Sequence, residues 1–140
     1  MNADKTLKNI PLYTDEVDYQ LVTMPSKGIV LAASILAEIA EPFGTVILDK
    51  DETTLIIPAE MVEQFQDRLE GLETSNPFRL ITFDEELPFE LTGFMALVAT
   101  LLAEADVSII PIAAFSRDHI LVPADQFDKA WDTLSTYQQQ

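Results

Sequence analysis

The sequence predicts an α+β protein made of two similar units, each an antiparallel sheet with helices on one face. Residues 55–60, Leu-Ile-Ile-Pro-Ala-Glu, recur 65 positions later as Ile-Leu-Val-Pro-Ala-Asp at 120–125. The triplets Gly-Ile-Val at 28–30 and Gly-Phe-Met at 93–95 share that offset. Several matches in the same order indicate a duplicated unit, and two copies are too few for a solenoid.

In the first copy we expect a strand, a helix, two strands and a second helix. The Pro-Ser-Lys-Gly segment at 25–28 breaks the first strand from the helix, which carries Ile29, Leu36 and Ile39 at helical spacing. An apolar stripe at i, i+3, i+7 and i+10 predicts the second helix. The predicted elements are a strand at 20–24, a helix at 29–40, strands at 45–48 and 54–57, and a helix over 58–72, whose stripe is Val62, Phe65, Leu69 and Leu72.

The second copy repeats this order of elements. Pro111 cannot donate a backbone hydrogen bond, so its strand should lie at a sheet edge or contain a bulge. The polar tail at 135–140 is expected to fray. The predicted elements are a strand at 78–83, a helix at 94–105, strands at 107–112 and 119–122, and a helix at 124–134.

A βαββα unit closed by one further strand is the split βαβ, ferredoxin-like arrangement, βαββαβ. We therefore expect an N-terminal unit at 1–72, a linker at 73–77 and a C-terminal unit at 78–140. The C-terminal unit lacks a final strand of its own, and the segment at 7–12 is a candidate for that place.

The composition excludes several classes of partner. The chain has 140 residues, 48% of them hydrophobic, and a formal net charge of −16. Without a basic surface it should not bind nucleic acid or an anionic membrane. Cysteine is absent, which rules out disulfides and thiolate metal sites. The start of the chain has no secretory signal and its longest uncharged run has 13 residues, where a bilayer span needs about 20. We expect a cytoplasmic protein.

Three segments of the second copy resemble an ACT domain. They are Glu-Leu-Thr-Gly-Phe at 90–94, Ser-Ile-Ile at 108–110, and Phe-Ser-Arg-Asp-His-Ile-Leu-Val-Pro at 115–123. The likeness is greatest to the cytosolic arginine sensors of the CASTOR type and their small bacterial relatives. It is strong over 78–134 and fainter over 20–72. It implies two tandem ACT-type units in a regulatory, amino-acid-binding homodimer, with no catalysis and no cofactor.

The resemblance also implies that a ligand lies between ACT units, where it is held by the loop from the first strand to the first helix and by the turn between the second and third strands. In the arginine sensors an aspartate at the position of Asp118 contacts the cationic end of the ligand. The start of a helix near Gly93 offers free N–H groups to a carboxylate, and glycine allows close approach. The candidate ligand-binding residues are Leu91, Thr92, Gly93, Phe115, Ser116, Arg117 and Asp118.

Each candidate also has a purely structural interpretation. Gly93 could be a turn glycine and Thr92 a helix N-cap. Asp118 could pair with Arg117 or Lys129 at a turn.

Three other features bear on the ligand. His119, the single histidine, is better explained as a strand side chain with one hydrogen bond than as an acid–base group. The acidic clusters at 49–52 and 84–86 lack the spaced oxygens of a calcium loop, so no metal site is expected. Ala113 and Ala114 stand where related domains carry Ser-Thr, which removes two hydroxyl groups from the turn.

These observations leave a ranked set of functions. The first is a sensor that binds an amino acid or a similar metabolite and passes its change in packing to an effector protein. The alternative is a ligand-free ACT-type interaction or dimerisation module, which Ala113 and Ala114 favour. An enzyme using Asp118 and His119 ranks last, because consecutive strand residues face opposite sides of a sheet.

Overall fold

The computed structural model describes residues 2–140, which fold into two compact units. The inserted unit is residues 17–77, continuous in the chain. The split unit combines the N-terminal segment ending at Glu16 with residues 78–140. In chain order the elements are α1 (Ala3–Asn9), β1 (Leu12–Tyr13), β2 (Asp18–Met24), α2 (Ile29–Ile39), β3 (Thr45–Leu48), β4 (Thr53–Pro58), α3 (Ala59–Gln64), β5 (Glu73–Thr74), β6 (Phe78–Phe83), α4 (Phe94–Glu104), β7 (Ile110–Ala113), β8 (Asp118–Pro123) and α5 (Phe127–Gln138).

The inserted unit is an antiparallel sheet in the order β3-β4-β2, with short β5 also paired to β2. Val22 lies opposite Leu55 in the register of β2 and β4. Alternate residues of these strands point towards the helices and are buried with residues of α2. The core of this unit is Val22, Met24, Ala32, Ile35, Leu55, Ile57 and Leu69.

The split unit has the order β6-β8-β7, again antiparallel, and β1 pairs with β6. Pro111 lies in β7, the outer strand of this unit, as its missing N–H predicts. The core packs α4, α5 and α1 against one face of the sheet. Its buried residues are Leu7, Ile10, Ile81, Phe83, Phe94, Val98, Leu102, Val107, Ile120, Val122, Phe127, Ala130 and Leu134. The predicted α+β, ferredoxin-like class with helices on one face is therefore confirmed.

The N-terminal segment belongs to the split unit, which differs from the predicted boundaries of 1–72 and 78–140. Leu7 is fully buried and Ile10 is 2% exposed in that core. The side-chain amide of Gln138 donates to the carbonyls of Leu7 at 2.9 Å and Ile10 at 2.7 Å. Leu12 pairs with Phe83 in the sheet. Of the segment at 7–12, only Leu12 lies in the additional strand, which is Leu12–Tyr13, whereas residues 7–9 belong to α1.

The 65-residue offset extends to whole elements. The helices Ile29–Ile39 and Phe94–Glu104, the strands Thr45–Leu48 and Ile110–Ala113, and the strands Thr53–Pro58 and Asp118–Pro123 each begin 65 residues apart. The sequence repeat therefore marks positions that have the same secondary structure.

Two predicted helices have different ends. The helix expected over 58–72 ends at Gln64 and continues as turns, where Leu69 is still buried. The C-terminal helix runs to Gln138 rather than fraying from 135, because Gln138 and Tyr137 bond to the N-terminal helix, the latter to the carboxylate of Asp4. The predicted linker at 73–77 contains β5.

We expect Leu7→Ala to destabilise the protein by about 2–5 kcal/mol, because it leaves a cavity in the split-unit core. Leu48→Ala is the matched control, since Leu48 is 55% exposed and its removal should cost no more than about 0.5 kcal/mol. Denaturant unfolding measures both. In hydrogen exchange, Leu7→Ala should lower protection in residues 78–140 first, and an effect confined to residues 17–77 would contradict the unit assignment.

Candidate functional site

Five of the seven candidate residues lie around one cavity in the split unit. The cavity has a volume of about 190 Å³. The five that line it are Leu91, Phe115, Ser116, Arg117 and Asp118. Thr92 and Gly93 are exposed beside the start of α4 and are not among its lining residues.

Two segments enclose the cavity. The first is the loop at 84–93 between β6 and α4, and the second is the turn at 114–117 between β7 and β8. Leu87 N–H donates to the carbonyl of Ser116 at 2.6 Å and joins the two. Ala114 N–H donates to the carbonyl of Arg117 at 2.9 Å and closes the turn. The site is thus built from loops on a rigid sheet and helix, a common placement for binding residues.

Asp118 is the carboxylate of this cavity. It stands on the same face of β8 as buried Ile120, opposite Phe83 in the sheet register. Phe83 in turn packs against Phe94, with ring centroids 5.2 Å apart. Burial raises the pKa of Asp118 above its usual value, and nearby His119 lowers it by a smaller amount. The site therefore holds an acidic group whose charged form is incompletely solvated.

Arg117, the cationic residue next to Asp118 in the sequence, interacts with other residues. Arg117 Nε donates to Asp84 Oδ1 at 3.0 Å and its NH1 group donates to Ser116 Oγ at 3.3 Å. Within residues 2–140, Asp118 forms no ion pair with Arg117 or Lys129. Among the described residues, Asp118 is therefore not the ion-pair partner of either residue, and it is one of the residues that line the cavity.

His119 points to the other face of the sheet. Its Nδ1 lies 2.8 Å from Thr82 Oγ1, directly opposite in the register. Burial lowers the pKa of His119, Asp118 and Asp84 raise it, and Arg117 adds to the lowering. The expectation of a hydrogen-bonded strand histidine is confirmed. Asp118 and His119 are not placed to act on one reacting atom.

Gly93 is the N-cap of α4, the role that the structural interpretation gave to Thr92. Its φ of 80° lies in the left-handed region, and no side chain caps the helix. Its carbonyl accepts the N–H of Leu97 at 3.0 Å. A Cβ added at Gly93 would have no atom within 4 Å, so the glycine is required by its backbone conformation rather than by space.

Several residues of the cavity were not predicted. Half of them are the apolar residues Leu-Pro-Phe at 87–89 of the loop before α4, and such an apolar cluster inside a predicted loop was the available sign of them. Ala113 and Ala114 were considered only because they lack the hydroxyl groups of the Ser-Thr pair in related domains, and not as lining residues. The additional lining residues are Leu87, Pro88, Phe89, Phe94, Ala113 and Ala114.

The described residues contain neither a candidate membrane span nor a candidate metal cluster. In the described chain, residues 2–140, every helix is too short or too polar to cross a bilayer. The same residues contain no group of three or more His, Asp or Glu side chains arranged to hold a metal ion.

The family comparison defines the class of this unit. Residues 73–136 match the family model described as the ACT domain. An ACT domain is therefore present in this chain, and it contains both the loop at 84–93 and the turn at 114–117. ACT domains are regulatory, non-catalytic modules that typically bind small molecules and form oligomers.

Solved structures with the same fold cover nearly the whole chain. A Vibrio cholerae protein of unknown function, a possible transport protein, is 28% identical with a TM-score of 0.72, over 96% of this chain and 94% of that one. The regulatory subunit of aspartate kinase from Thermus flavus is 13% identical with a TM-score of 0.68, over 91% of this chain and 97% of that one.

A complete enzyme carries the same fold as part of its length. Aspartate kinase from Clostridium acetobutylicum, an allosteric enzyme, is 14% identical with a TM-score of 0.69, over 91% of this chain and 34% of that one. No protein with a curated description matches the chain. The likeness to the kinases establishes the fold, and their activity is not carried over.

We expect Gly93→Ala to lower stability by about 1–2 kcal/mol, the cost of a left-handed conformation for a residue with a Cβ. Gly71→Ala is a matched control in the inserted unit, because Gly71 has a φ of 82° and equally open surroundings. Thermal unfolding should show similar losses in the two variants. A much larger loss at Gly93 would contradict a purely conformational role.

Replacing Asp118 by Asn should stabilise the protein at neutral pH, because it removes a charge that burial disfavours. A folded-state pKa above the unfolded value means that the stability from the protonated carboxyl is complete below the unfolded pKa. That stability is lost as the pH rises through the folded pKa. The advantage of the variant should thus vanish below the ordinary value of 3.8.

Thermal unfolding from neutral pH to below that value measures this difference. Glu85→Gln, an exposed carboxylate of the same loop, should change stability by less than about 0.5 kcal/mol throughout. A destabilised Asp118→Asn variant at neutral pH would show that the carboxylate has a stabilising partner instead.

Proposed function

We propose that this protein is a regulatory protein that binds an amino acid in the cavity between the loop at 84–93 and the turn at 114–117. One observation carries the proposal: within the segment that matches an ACT domain, the carboxylate of Asp118 lines the cavity, and within residues 2–140 no lysine or arginine forms an ion pair with it. Partial burial disfavours the charged form of Asp118, and groups whose pKa is shifted in this way concentrate at functional sites. An ammonium or guanidinium group of a ligand would supply the missing charge.

The dimensions of the cavity favour a small ligand. Its volume of about 190 Å³ is below the range of about 300–1,000 Å³ that drug-sized ligands occupy. This suits one amino acid better than a nucleotide. Leu87, Leu91 and Phe94 would contact the apolar part of such a ligand.

The candidate residues have complementary roles in this proposal. Asp118 pairs with the ligand's cation, and Leu91, Phe115 and Ser116 form walls. Arg117, held by Asp84, fixes the turn and presents little free positive charge. Thr92 and Gly93 lie at the start of α4, whose first N–H groups suit a ligand carboxylate that extends past the cavity edge.

The regulatory mechanism would be linkage. A ligand that contacts both segments favours the arrangement in which they are together, and it shifts the population by its difference in affinity for the two arrangements. A homodimer or an effector protein would respond to that change. The ACT domain and the fold shared with aspartate-kinase regulatory subunits support this type of function.

A ligand-free interaction module is the second candidate. It is favoured by Ala113 and Ala114, which offer no hydroxyls to a ligand, and by the apolar outer strand β3, where Ile47 is 47% and Leu48 is 55% exposed. Strand β3 pairs only with β4 in its unit, so its other edge could pair with a second copy. In this case homodimerisation would be the whole function.

Thermal unfolding with a panel of the twenty amino acids tests the proposal, and arginine is the first to examine because of the resemblance to the arginine sensors. A ligand at 100 times its dissociation constant should stabilise the protein by about 2.7 kcal/mol. Asp118→Asn should weaken binding about 10- to 100-fold, as expected for loss of a hydrogen bond to a charged group.

The controls separate binding from folding. Asp118→Asn should remain folded and keep the oligomeric state of the wild type, and Glu85→Gln should bind as the wild type does. If no amino acid changes the unfolding midpoint, the sensor function is wrong and the interaction module becomes the better explanation. If binding survives in Asp118→Asn, the ligand lies elsewhere.

A further inference from the structure

Two phenylalanine side chains of the cavity are unusually exposed. Phe89 is 74% and Phe115 is 84% exposed, although both rings line the cavity. Side chains that line a cavity and face solvent lie at its opening. Phenylalanine is among the residues most often buried, so two exposed rings at one opening require an explanation.

The rings join the two segments that enclose the cavity. Phe89 lies on the loop at 84–93 and Phe115 on the turn at 114–117. Their centroids are 5.1 Å apart with an interplanar angle of 79°, an edge-to-face contact. In such a contact the positive edge of one ring lies on the negative face of the other. The negative face of one ring, which is the part that a cation would contact, is therefore already covered by the partly positive edge of the other ring.

Three features of the surroundings favour a cationic ligand at these rings. The carboxylate of Asp118 lines the same cavity, and the only cationic side chain among the described lining residues, Arg117, is paired with Asp84. The chain has a formal net charge of −16, which raises the local concentration of small cations. Aromatic rings beside a carboxylate recognise ammonium and guanidinium groups by cation–π attraction together with ion pairing.

We propose that Phe89 and Phe115 form an aromatic closure that selects amino acids with a cationic side chain, whose ammonium or guanidinium group replaces the edge of one ring on the face of the other. The inference rests on the proposed function, because it concerns the same cavity, but it adds a specificity that Asp118 alone does not give. The closure opens when the ring contact breaks and closes again around the bound cation.

Calorimetric titration with matched amino acids tests this inference. The probes are L-arginine against neutral L-citrulline and L-lysine against neutral L-norleucine, each with the wild type, Phe89→Leu and Phe115→Leu. Leucine keeps an apolar side chain and removes the ring. Both rings are exposed, so these variants should fold normally. Phe65→Leu, a ring of the inserted unit, is the control.

The wild type should bind at least one cationic probe more tightly than its neutral counterpart. Each of the two leucine variants should reduce that preference about two- to fivefold, as expected for loss of an exposed cation–π contact, with little change for the neutral probe. The double variant should lose little more than either single variant, since the rings act as a pair. Phe65→Leu should keep the wild-type preference.

The other outcomes overturn the inference in distinguishable ways. Unchanged preference in both leucine variants refutes the aromatic closure and leaves the proposed function intact. If only amino acids with neutral side chains bind, the aromatic closure is also refuted and the proposed function again stays intact. If none of the twenty amino acids binds, the proposed function fails together with the closure. If the leucine variants change only self-association in sedimentation, the rings are a contact between copies of the chain.

Discussion

The alternation of side chains along β8 is the constraint on which both the core and the candidate site of the split unit depend. Ile120 and Val122 are fully buried on the face that packs against the helices. Asp118 lies two residues earlier on that face, where the core meets the cavity. A slip of one residue would expose the core and turn His119 to the cavity, so the register that buries the core also positions the carboxylate.

The same offset in sequence has led to different local structures in the two units. Between β2 and α2 there are four residues, 25–28, whereas ten residues, 84–93, separate β6 from α4. Gly28 is packed so closely that an added Cβ would lie 2.7 Å from the side chain of Met24. Its counterpart Gly93 is open and left-handed. The longer loop provides Leu87 and Phe89, which the shorter loop has no room to match.

The spacing of hydrophobic residues predicted the helices and strands well, because a helix or strand that buries one face repeats its hydrophobic residues at a short, fixed interval in the sequence. It failed where the fold depends on distant contacts. The N-terminal helix has one buried residue, Leu7, and no amphipathic pattern long enough to show that it packs with residues 78–140. The length of α5 likewise depends on Gln138 bonding to Leu7 and Ile10. For the site, family-like motifs located Asp118 and Phe115, but nothing local paired Phe115 with Phe89.

A small ligand can have a large effect here because the cavity is enclosed by two loops with few contacts between them. Within the described residues, the loops are joined by the backbone hydrogen bond from Leu87 to Ser116, the ion pair of Arg117 with Asp84 and the ring contact of Phe89 with Phe115. Loops of this kind open at a lower free-energy cost than the strands and helices that carry them. A ligand bound to both adds its affinity to that local equilibrium, and its effect cannot exceed the difference in its affinity for the open and closed states. For the proposed cationic ligand, that difference would come from Asp118 and the two rings, which would surround the cation together only in the closed arrangement.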